Sequence, residues 1–121
     1  MKIDFIADTN FLIYVHEGQD MVAPFMKYNF GASFISEVEL LGYKGLSLSE
    51  EKKLKLLLSD CFLFSWNEKI KDTTILLRKN YNIKLPDAIV AATSIVYDLP
   101  LVTADKGFSK IDELDVILIE I

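Results

Sequence analysis

The sequence has few of the residues that mark several common classes of protein. It contains one cysteine, Cys61, so an internal disulfide is impossible. It also contains one histidine, His16, so the chain has neither the paired histidines nor the cysteine cluster that would suggest a zinc site. The longest apolar stretch, residues 88–97, includes Thr93 and Ser94 and is too short to cross a bilayer. The start of the chain lacks the apolar segment and cleavage site of a signal peptide. We therefore expect a cytoplasmic protein with no membrane segment.

Positive charge is also scarce. The 13 Lys and Arg residues include a single arginine, Arg78, and stand against 18 Asp and Glu residues, for a net charge of −5. This balance argues against a protein that grips nucleic acid by bulk charge. It does not exclude a nuclease, because setting aside four metal-binding carboxylates would leave the remainder close to neutral. Lysine runs such as residues 52–55 are typical of solvated helix faces.

The apolar pattern predicts one α/β domain over residues 1–121. Hydrophobic residues make up 51% of the chain, and the sequence has no repeat, low-complexity tract or linker. Strand-like and helix-like segments alternate, which favours a mostly parallel sheet of about five strands. The predicted strands are residues 3–7, 32–35, 62–64, 101–103 and 116–119, and Gly31 is predicted to break the chain just before the second of them. The predicted helices are residues 10–15 and 19–29, followed by helices that begin at Ser36, Ser49, Asn67 and Pro86.

Four acidic residues follow the predicted strands or open the helices after them. Asp8 and Asp105 end strands, while Glu39 and Asp87 lie in first turns of helices. The carboxyl ends of parallel strands meet at one edge of a sheet, where open α/β folds bind ligands. Carboxylates gathered there repel one another, and a divalent cation relieves that repulsion. Each acid alone is better explained as a turn former or an exposed helix residue, but the four together predict a metal-dependent enzyme.

The segments around these acids resemble the four motifs of PIN-domain nucleases. The matching segments are Asp8–Ile13, Ile35–Ser36 with Glu39–Tyr43, Leu85–Ala92 and Val102–Phe108. The last two are the most specific. The resemblance runs over about residues 3–119, and the size of the chain suits small members such as the VapC toxins of prokaryotic toxin–antitoxin pairs. It implies a three-layer α/β/α fold around a central, mostly parallel sheet of about five strands.

The resemblance also implies an activity, a metal and a set of site residues. The activity is hydrolysis of RNA phosphodiester bonds that depends on Mg²⁺ or Mn²⁺. The implied catalytic and metal-binding residues are Asp8, Glu39, Asp87 and Asp105. Thr9, Asn10 and Thr103 are expected to orient the carboxylates or the substrate, although Thr9 is equally consistent with an ordinary helix cap. Glu37 lies close to the position of Glu39 and is the fallback for it.

By analogy with the family we expect a small VapB-like antitoxin as partner, with its tail across the acidic pocket, and a homodimer. The aromatic and apolar residues near the second predicted helix are consistent either with an interaction surface or with the core: Phe25, Met26, Tyr28 and Phe30. Tyr14, Tyr43 and Trp66 are candidates for base stacking, although packing is the commoner role. His16 is expected at the surface, and Cys61 in packing.

Two other interpretations remain open. A catalytically inactive PIN fold could serve as a protein-interaction module, although such versions usually lose acids and this chain keeps all four. A receiver-type phosphoacceptor domain has a similar length and the same alternation of elements. It requires an adjacent acidic pair after the first strand, whereas Asp4 and Asp8 are not adjacent.

Overall fold

A computed structural model describes residues 2–120 and contains a five-stranded sheet between helices. Its elements are β1 (Phe5–Ala7), α1 (Thr9–His16), a 3-10 helix (Asp20–Phe25), β2 (Phe30–Ser33), α2 (Phe34–Leu41), α3 (Leu48–Ser59), β3 (Phe62–Phe64), α4 (Glu68–Asn80), α5 (Leu85–Tyr97), β4 (Leu101–Thr103), a second 3-10 helix (Lys106–Lys110) and β5 (Val116–Leu118). The proposed unit of residues 1–121 includes Met1 and Ile121, which lie outside the described residues. None of the described helices is long and apolar enough to cross a membrane.

All strand pairings are parallel, in the order β3-β2-β1-β4-β5. The prediction of a parallel five-stranded α/β fold is confirmed. The order differs from the 2-1-3-4-5 arrangement of receiver domains, so the receiver interpretation is wrong. The chain adds β2 and β3 on one side of β1 and then returns to add β4 and β5 on the other side. The order in which strands are added therefore reverses between β1 and β4. In open α/β sheets the crevice at such a point is the usual ligand site.

Alternating residues of the strands support two cores, one on each face of the sheet. Phe5 and Ala7 of β1 face one core, which α1 and α3 cover with buried residues such as Phe11 and Leu58. Ile6 faces the other core, which α4 and α5 cover. Strand side chains point alternately to opposite faces, so both faces of a buried strand must be apolar. These two cores give the predicted three layers.

The segment after α1 is shorter and tighter than the predicted helix of residues 19–29. It forms a 3-10 helix over Asp20–Phe25, with Pro24 inside. Proline cannot donate the backbone hydrogen bond that an α-helix would need at this position, which accounts for the early end. Beyond it, the backbone N–H of Asn29 donates to the carboxylate of Asp4 at 2.9 Å and leads the chain into β2.

The aromatic residues of this segment divide between core and surface. Phe25 packs edge-on against Phe5 and Phe11, with ring centroids 5.9 Å apart in each case. Phe30 stacks on Phe5 at 5.3 Å. Met26 and Tyr28 are exposed. Only these last two therefore remain candidates for an interaction surface in this segment.

The second strand begins and ends two residues earlier than predicted. Ser33 caps α2 by accepting a hydrogen bond from the N–H of Ile35 at 3.2 Å, so the prediction that Ser36 is the cap is wrong. Gly31 lies within β2 and does not precede it. A Cβ added to Gly31 would stand 2.5 Å from Cε2 of Phe64. The glycine therefore lets the Phe64 ring lie directly over the strand.

The other boundaries are close to those predicted. α3 begins after Ser47, whose hydroxyl accepts from the N–H of Glu50 at 3.1 Å, and Ser49 is not the cap. Asn67 caps α4 by accepting from the N–H of Ile70, as predicted. Pro86 occupies the second position of α5, one residue later than predicted and still within the first turn.

Candidate active site

The four predicted acids line a single cavity of about 530 Å³ at the carboxyl edge of the sheet. Asp8 follows β1, Glu39 lies on α2, Asp87 opens α5 and Asp105 follows β4. Thr9 and Asn10 line the same cavity. Glu37 lines no part of it, which favours Glu39 as the second-motif acid. The parallel sheet thus brings together side chains that are up to 97 positions apart in sequence, from Asp8 to Asp105.

Asp8 is the most constrained of the four acids. Its side chain is 4% exposed and caps α1, because Oδ1 accepts from the N–H of Phe11 at 2.8 Å. Its Oδ2 accepts from the hydroxyl of Thr103. Burial raises the pKa of Asp8, these two hydrogen bonds lower it, and the charges of Asp105 and Asp87 raise it, with a net upward shift. The fold therefore fixes the position of the Asp8 carboxyl group, although its surroundings make the charged form less favourable than it is in water.

The hydroxyl of Thr103 connects two of the acidic positions. It is fully buried, donates to Asp8, and accepts from the backbone N–H of Asp105 at 2.9 Å. Asp105 in turn accepts from the N–H of Gly107 at 2.8 Å and so caps the second 3-10 helix. The ends of β1 and β4 are thus joined by side-chain hydrogen bonds, as well as by the backbone pairing of Ala7 with Val102.

Glu39 is oriented by a chain of two hydroxyl groups. The Thr9 hydroxyl donates to Oε1 of Glu39 at 2.7 Å and also lies 2.9 Å from the hydroxyl oxygen of Ser36. A hydroxyl has one proton, and that of Thr9 is given to the carboxylate, so Ser36 must donate to Thr9. Ser36 is fully buried. The serine that the sequence suggested as a cap therefore supports the side chain that positions Glu39.

Asp87 occupies the third position of α5, where the helix dipole favours a negative charge. Burial nevertheless raises its pKa, as do the charges of Asp105 and Glu39, while Lys84 and Lys110 lower it. The net shift is upward. Burial and the other carboxylates together therefore outweigh the two lysines at Asp87.

The cavity as a whole is anionic. Of the described residues, no lysine or arginine lines it, and its other ionisable residues are Glu17, Glu50, His16 and Tyr43. The predicted surface residue His16 therefore borders the cavity, as does the stacking candidate Tyr43, whose side chain is largely exposed. Among residues 2–120 the only ion pair joins Lys71 to Glu68 on α4. The acids of the cavity thus lack the basic partners that usually accompany buried carboxylates.

The donor set fits a hard divalent cation such as Mg²⁺ or Mn²⁺, because it consists of carboxylate and hydroxyl oxygens. Within residues 2–120, no three acidic, histidine or cysteine side chains form a group ready to hold one ion. This spacing is compatible with Mg²⁺, which keeps several of its waters and commonly binds through one or two carboxylates together with substrate phosphates. It is not compatible with a closed cage of protein ligands.

Two lysines near the site were not singled out from the sequence. Lys84 and Lys110 line a second cavity, of about 240 Å³, which shares Asp87, Asp105 and Phe108 with the acidic one. Lys84 directly precedes the third-motif segment, and this was the one signal that could have identified it. Lys110 lies 26 positions further along, and only the fold brings it next to Lys84.

The chain matches the model of the PIN domain family over residues 5–114. It is similar to a chain of a toxin–antitoxin complex from Klebsiella pneumoniae, with 28% identity, 98% of this chain and 100% of that chain covered, and a TM-score of 0.83. It also resembles a chain of VapBC2 from Rickettsia felis bound to a promoter DNA fragment, with 22% identity, coverage of 96% and 98%, and a TM-score of 0.82. A chain of VapBC-1 from nontypeable Haemophilus influenzae gives 23% identity, the same coverage and a TM-score of 0.78. No curated protein matches the sequence.

Proposed function

This chain belongs to the PIN domain family, and from that premise we propose that it is a metal-dependent ribonuclease and the toxin of a VapC-type toxin–antitoxin pair. The observation that carries the proposal is the meeting of Asp8, Glu39, Asp87 and Asp105 in one cavity that no lysine or arginine lines. An arrangement that costs stability in the absence of a cation is expected where the cation and its substrate provide the function.

A bound Mg²⁺ or Mn²⁺ would be held by carboxylates of this acidic set together with its own waters and the substrate phosphate, and would supply Lewis-acid polarisation of the phosphodiester and of an attacking water. The chain itself provides the positioning. Asp8 is fixed by the N–H of Phe11 and the Thr103 hydroxyl, so its oxygens have little freedom to turn away. Glu39 is turned toward the cavity by Thr9. Thr9 and Thr103 are thus positioning residues, and Asn10, on the cavity wall, is available to contact substrate.

Cleavage of RNA in the presence and absence of EDTA tests the enzyme class. We expect cleavage with Mg²⁺ or Mn²⁺, no cleavage with EDTA, and none with Asp87→Asn, because that change removes a charged ligand while keeping the size of the side chain. Asp115→Asn is the matched control, since Asp115 is exposed and lines neither cavity. Cleavage by the purified Asp87→Asn and Asp8→Asn variants at the wild-type rate would contradict the site. Absence of cleavage by the wild-type protein would favour an inactive PIN fold.

The toxin part of the proposal rests on the similarity to a chain of the toxin–antitoxin complex from Klebsiella pneumoniae. We propose a small VapB-like antitoxin as partner, a homodimeric toxin and a cytoplasmic location. A basic residue on the antitoxin tail would form charge-assisted hydrogen bonds with the unpaired carboxylates. Expression of the chain should stop growth, Asp87→Asn should not, and co-expression of a short neighbouring reading frame should restore growth. Full growth with the active wild-type protein would contradict the toxin assignment.

A further inference from the structure

The second cavity differs from the acidic one because two lysines line it and balance the charges of Asp87 and Asp105. Lys84 and Lys110 line it, and they are the only lysine or arginine residues among the described residues that line either cavity. The two cavities share Asp87, Asp105 and Phe108, so they form one continuous depression with an acidic and a basic part. Both ammonium groups are close enough to Asp87 to lower its pKa.

The basic part has a defined position relative to the fold. The ammonium group of Lys110 donates to the backbone carbonyl of Asn82, in the turn between α4 and α5. Arg78 donates to the carbonyl of Ile83 in the same turn at 3.3 Å. Lys84 is the capping position of α5, where its ammonium group cannot pair with the helix N–H groups because it can only donate hydrogen bonds. Three cations are therefore gathered at this turn, beside an otherwise anionic site.

We infer that the second cavity, through Lys84 and Lys110, binds a backbone phosphate of single-stranded RNA next to the phosphodiester that lies over the acids. The inference rests on the proposed ribonuclease function. An anionic cavity repels a polyanion along the whole strand, and only the phosphate to be cleaved can be compensated by a divalent cation. A neighbouring phosphate needs a compensating charge of its own, and the lysine pair is the only one available along this depression.

Lysine contacts of this kind position the strand without selecting bases. The lysine pair therefore adds affinity for RNA of any sequence, and sequence preference must come from other surfaces. It also fixes the direction in which the strand leaves the acidic cavity, toward the turn at residues 82–84.

The test measures RNA binding separately from cleavage. Fluorescence anisotropy in EDTA, with two labelled single-stranded oligoribonucleotides of unrelated sequence, gives affinities from about 50 to 200 mM salt. We compare the wild-type protein with the double variant Lys84→Gln, Lys110→Gln, which removes both charges and keeps a polar side chain with N–H donors at each position. The matched control is Lys53→Gln, Lys55→Gln, which removes the same charge from exposed positions of α3 that line neither cavity.

We expect the Lys84/Lys110 variant to bind both oligonucleotides more weakly and to reduce the slope of log affinity against log salt by about 1, the loss of one phosphate contact. The control should match the wild-type protein. Equal affinity and slope for the two double variants would overturn the inference. This result is expected if the lysines serve only to offset the charge of the acids or to bind an acidic protein. Unfolding curves of both variants exclude a general loss of structure.

A cleavage arm separates failure of this inference from failure of the proposed function. If the wild-type protein cleaves RNA, the Lys84/Lys110 variant should show a raised KM and an unchanged kcat, because the contact is made equally in the ground state and the transition state. Cleavage with wild-type KM by this variant would overturn the lysine site and leave the ribonuclease intact. Lysine-dependent binding without any cleavage would support the lysine site and contradict the ribonuclease.

Discussion

The charge repulsion in the acidic cavity leads to a prediction about stability that does not depend on substrate. Asp87→Asn should stabilise the metal-free protein at neutral pH. The substitution keeps the size of the side chain and removes a charge that burial, Asp105 and Glu39 all disfavour. Asp87 makes no side-chain hydrogen bond among the described residues that the amide would break. Asp8 is less suitable, since its carboxylate accepts from Thr103 and Phe11.

The expected gain is about 1 kcal/mol, the usual size of a point change. One pKa unit corresponds to about 1.4 kcal/mol, but several effects reduce the gain. Asp87 is only partly buried, so solvent screens its charge. Lys84 and Lys110 compensate part of the repulsion, and the helix dipole favours the charge by about 0.3–1 kcal/mol. For a chain of this length the gain corresponds to a rise in melting temperature of about 4 °C.

The gain must also depend on pH in a defined direction. Because the pKa of Asp87 is raised above its ordinary value of 3.8, the folded protein binds this proton more tightly than the unfolded chain does. Its ionisation therefore lowers the free energy of unfolding as the pH rises from 3.8 through the raised pKa. The difference between variant and wild type should be small in acid, grow through that interval and remain constant above it.

Thermal unfolding in EDTA at several pH values, with Asp115→Asn as the charge-matched control, measures the effect. The stabilisation should shrink at high salt, which screens the repulsion. An Asp87→Asn protein that melts below the wild type at neutral pH, while the control is unchanged, would refute the reasoning. It would mean that the carboxylate makes net favourable interactions in the metal-free fold, and that the cavity is not under electrostatic strain.

Three further predictions follow from the same structure. Thr9→Val should lower Mg²⁺ affinity or the cleavage rate by about 10- to 100-fold, because Glu39 loses its orienting donor. Metal titration and rate measurements should show recovery with Thr9→Ser, which keeps the hydroxyl. Equal values for the valine and serine variants would contradict the positioning role of Thr9. Mg²⁺ or Mn²⁺ at 100 times its Kd should raise the free energy of unfolding of the wild-type protein by about 2.7 kcal/mol. Calorimetry should show a smaller rise for the Asp8→Asn variant. A wild-type melting curve that the metal leaves unchanged would count against metal binding. Gly31→Ala should destabilise the fold by about 1–3 kcal/mol, because the added Cβ would clash with the Phe64 ring and with the backbone carbonyl of Phe62. A denaturation midpoint equal to that of the wild type would show that the two strands adjust without cost.

The sequence predicted the elements better than their boundaries, and the reasons lie in particular residues. β3 and β4 were placed correctly because each is a short apolar run with turn-forming residues close to both ends, Asp60 and Ser65 for β3 and Pro100 and Asp105 for β4. β2 was displaced because Gly31 was interpreted as a chain break. The need for glycine there arises from Phe64, 33 positions further along the chain on β3, and no local pattern shows it. The helix of residues 19–29 was predicted too long because Pro24 was given too little weight.

The acids of the site could be predicted because each lies in a recognisable motif, and because Asp8 and Asp105 also follow strands directly. Their supports could not. Ser36 was mistaken for a cap since serine before an apolar helix is usually one, whereas its partner, Thr9, lies 27 positions earlier in the chain. Lys84 and Lys110 likewise acquire a shared role only through the fold. Local sequence patterns identify residues that belong to a motif, whereas contacts between residues distant in sequence can be identified only from the folded structure.

The hydrogen bond from Thr103 to Asp8 joins residues 95 positions apart and has a consequence for biosynthesis. While a ribosome has released the chain only as far as α4, the nascent polypeptide contains Asp8 and Glu39 but neither Asp87 nor Asp105. Pairing of β1 with β4 must wait for residues beyond 100 to emerge. The acidic cavity therefore forms only near the end of translation, and prematurely terminated products are made without it.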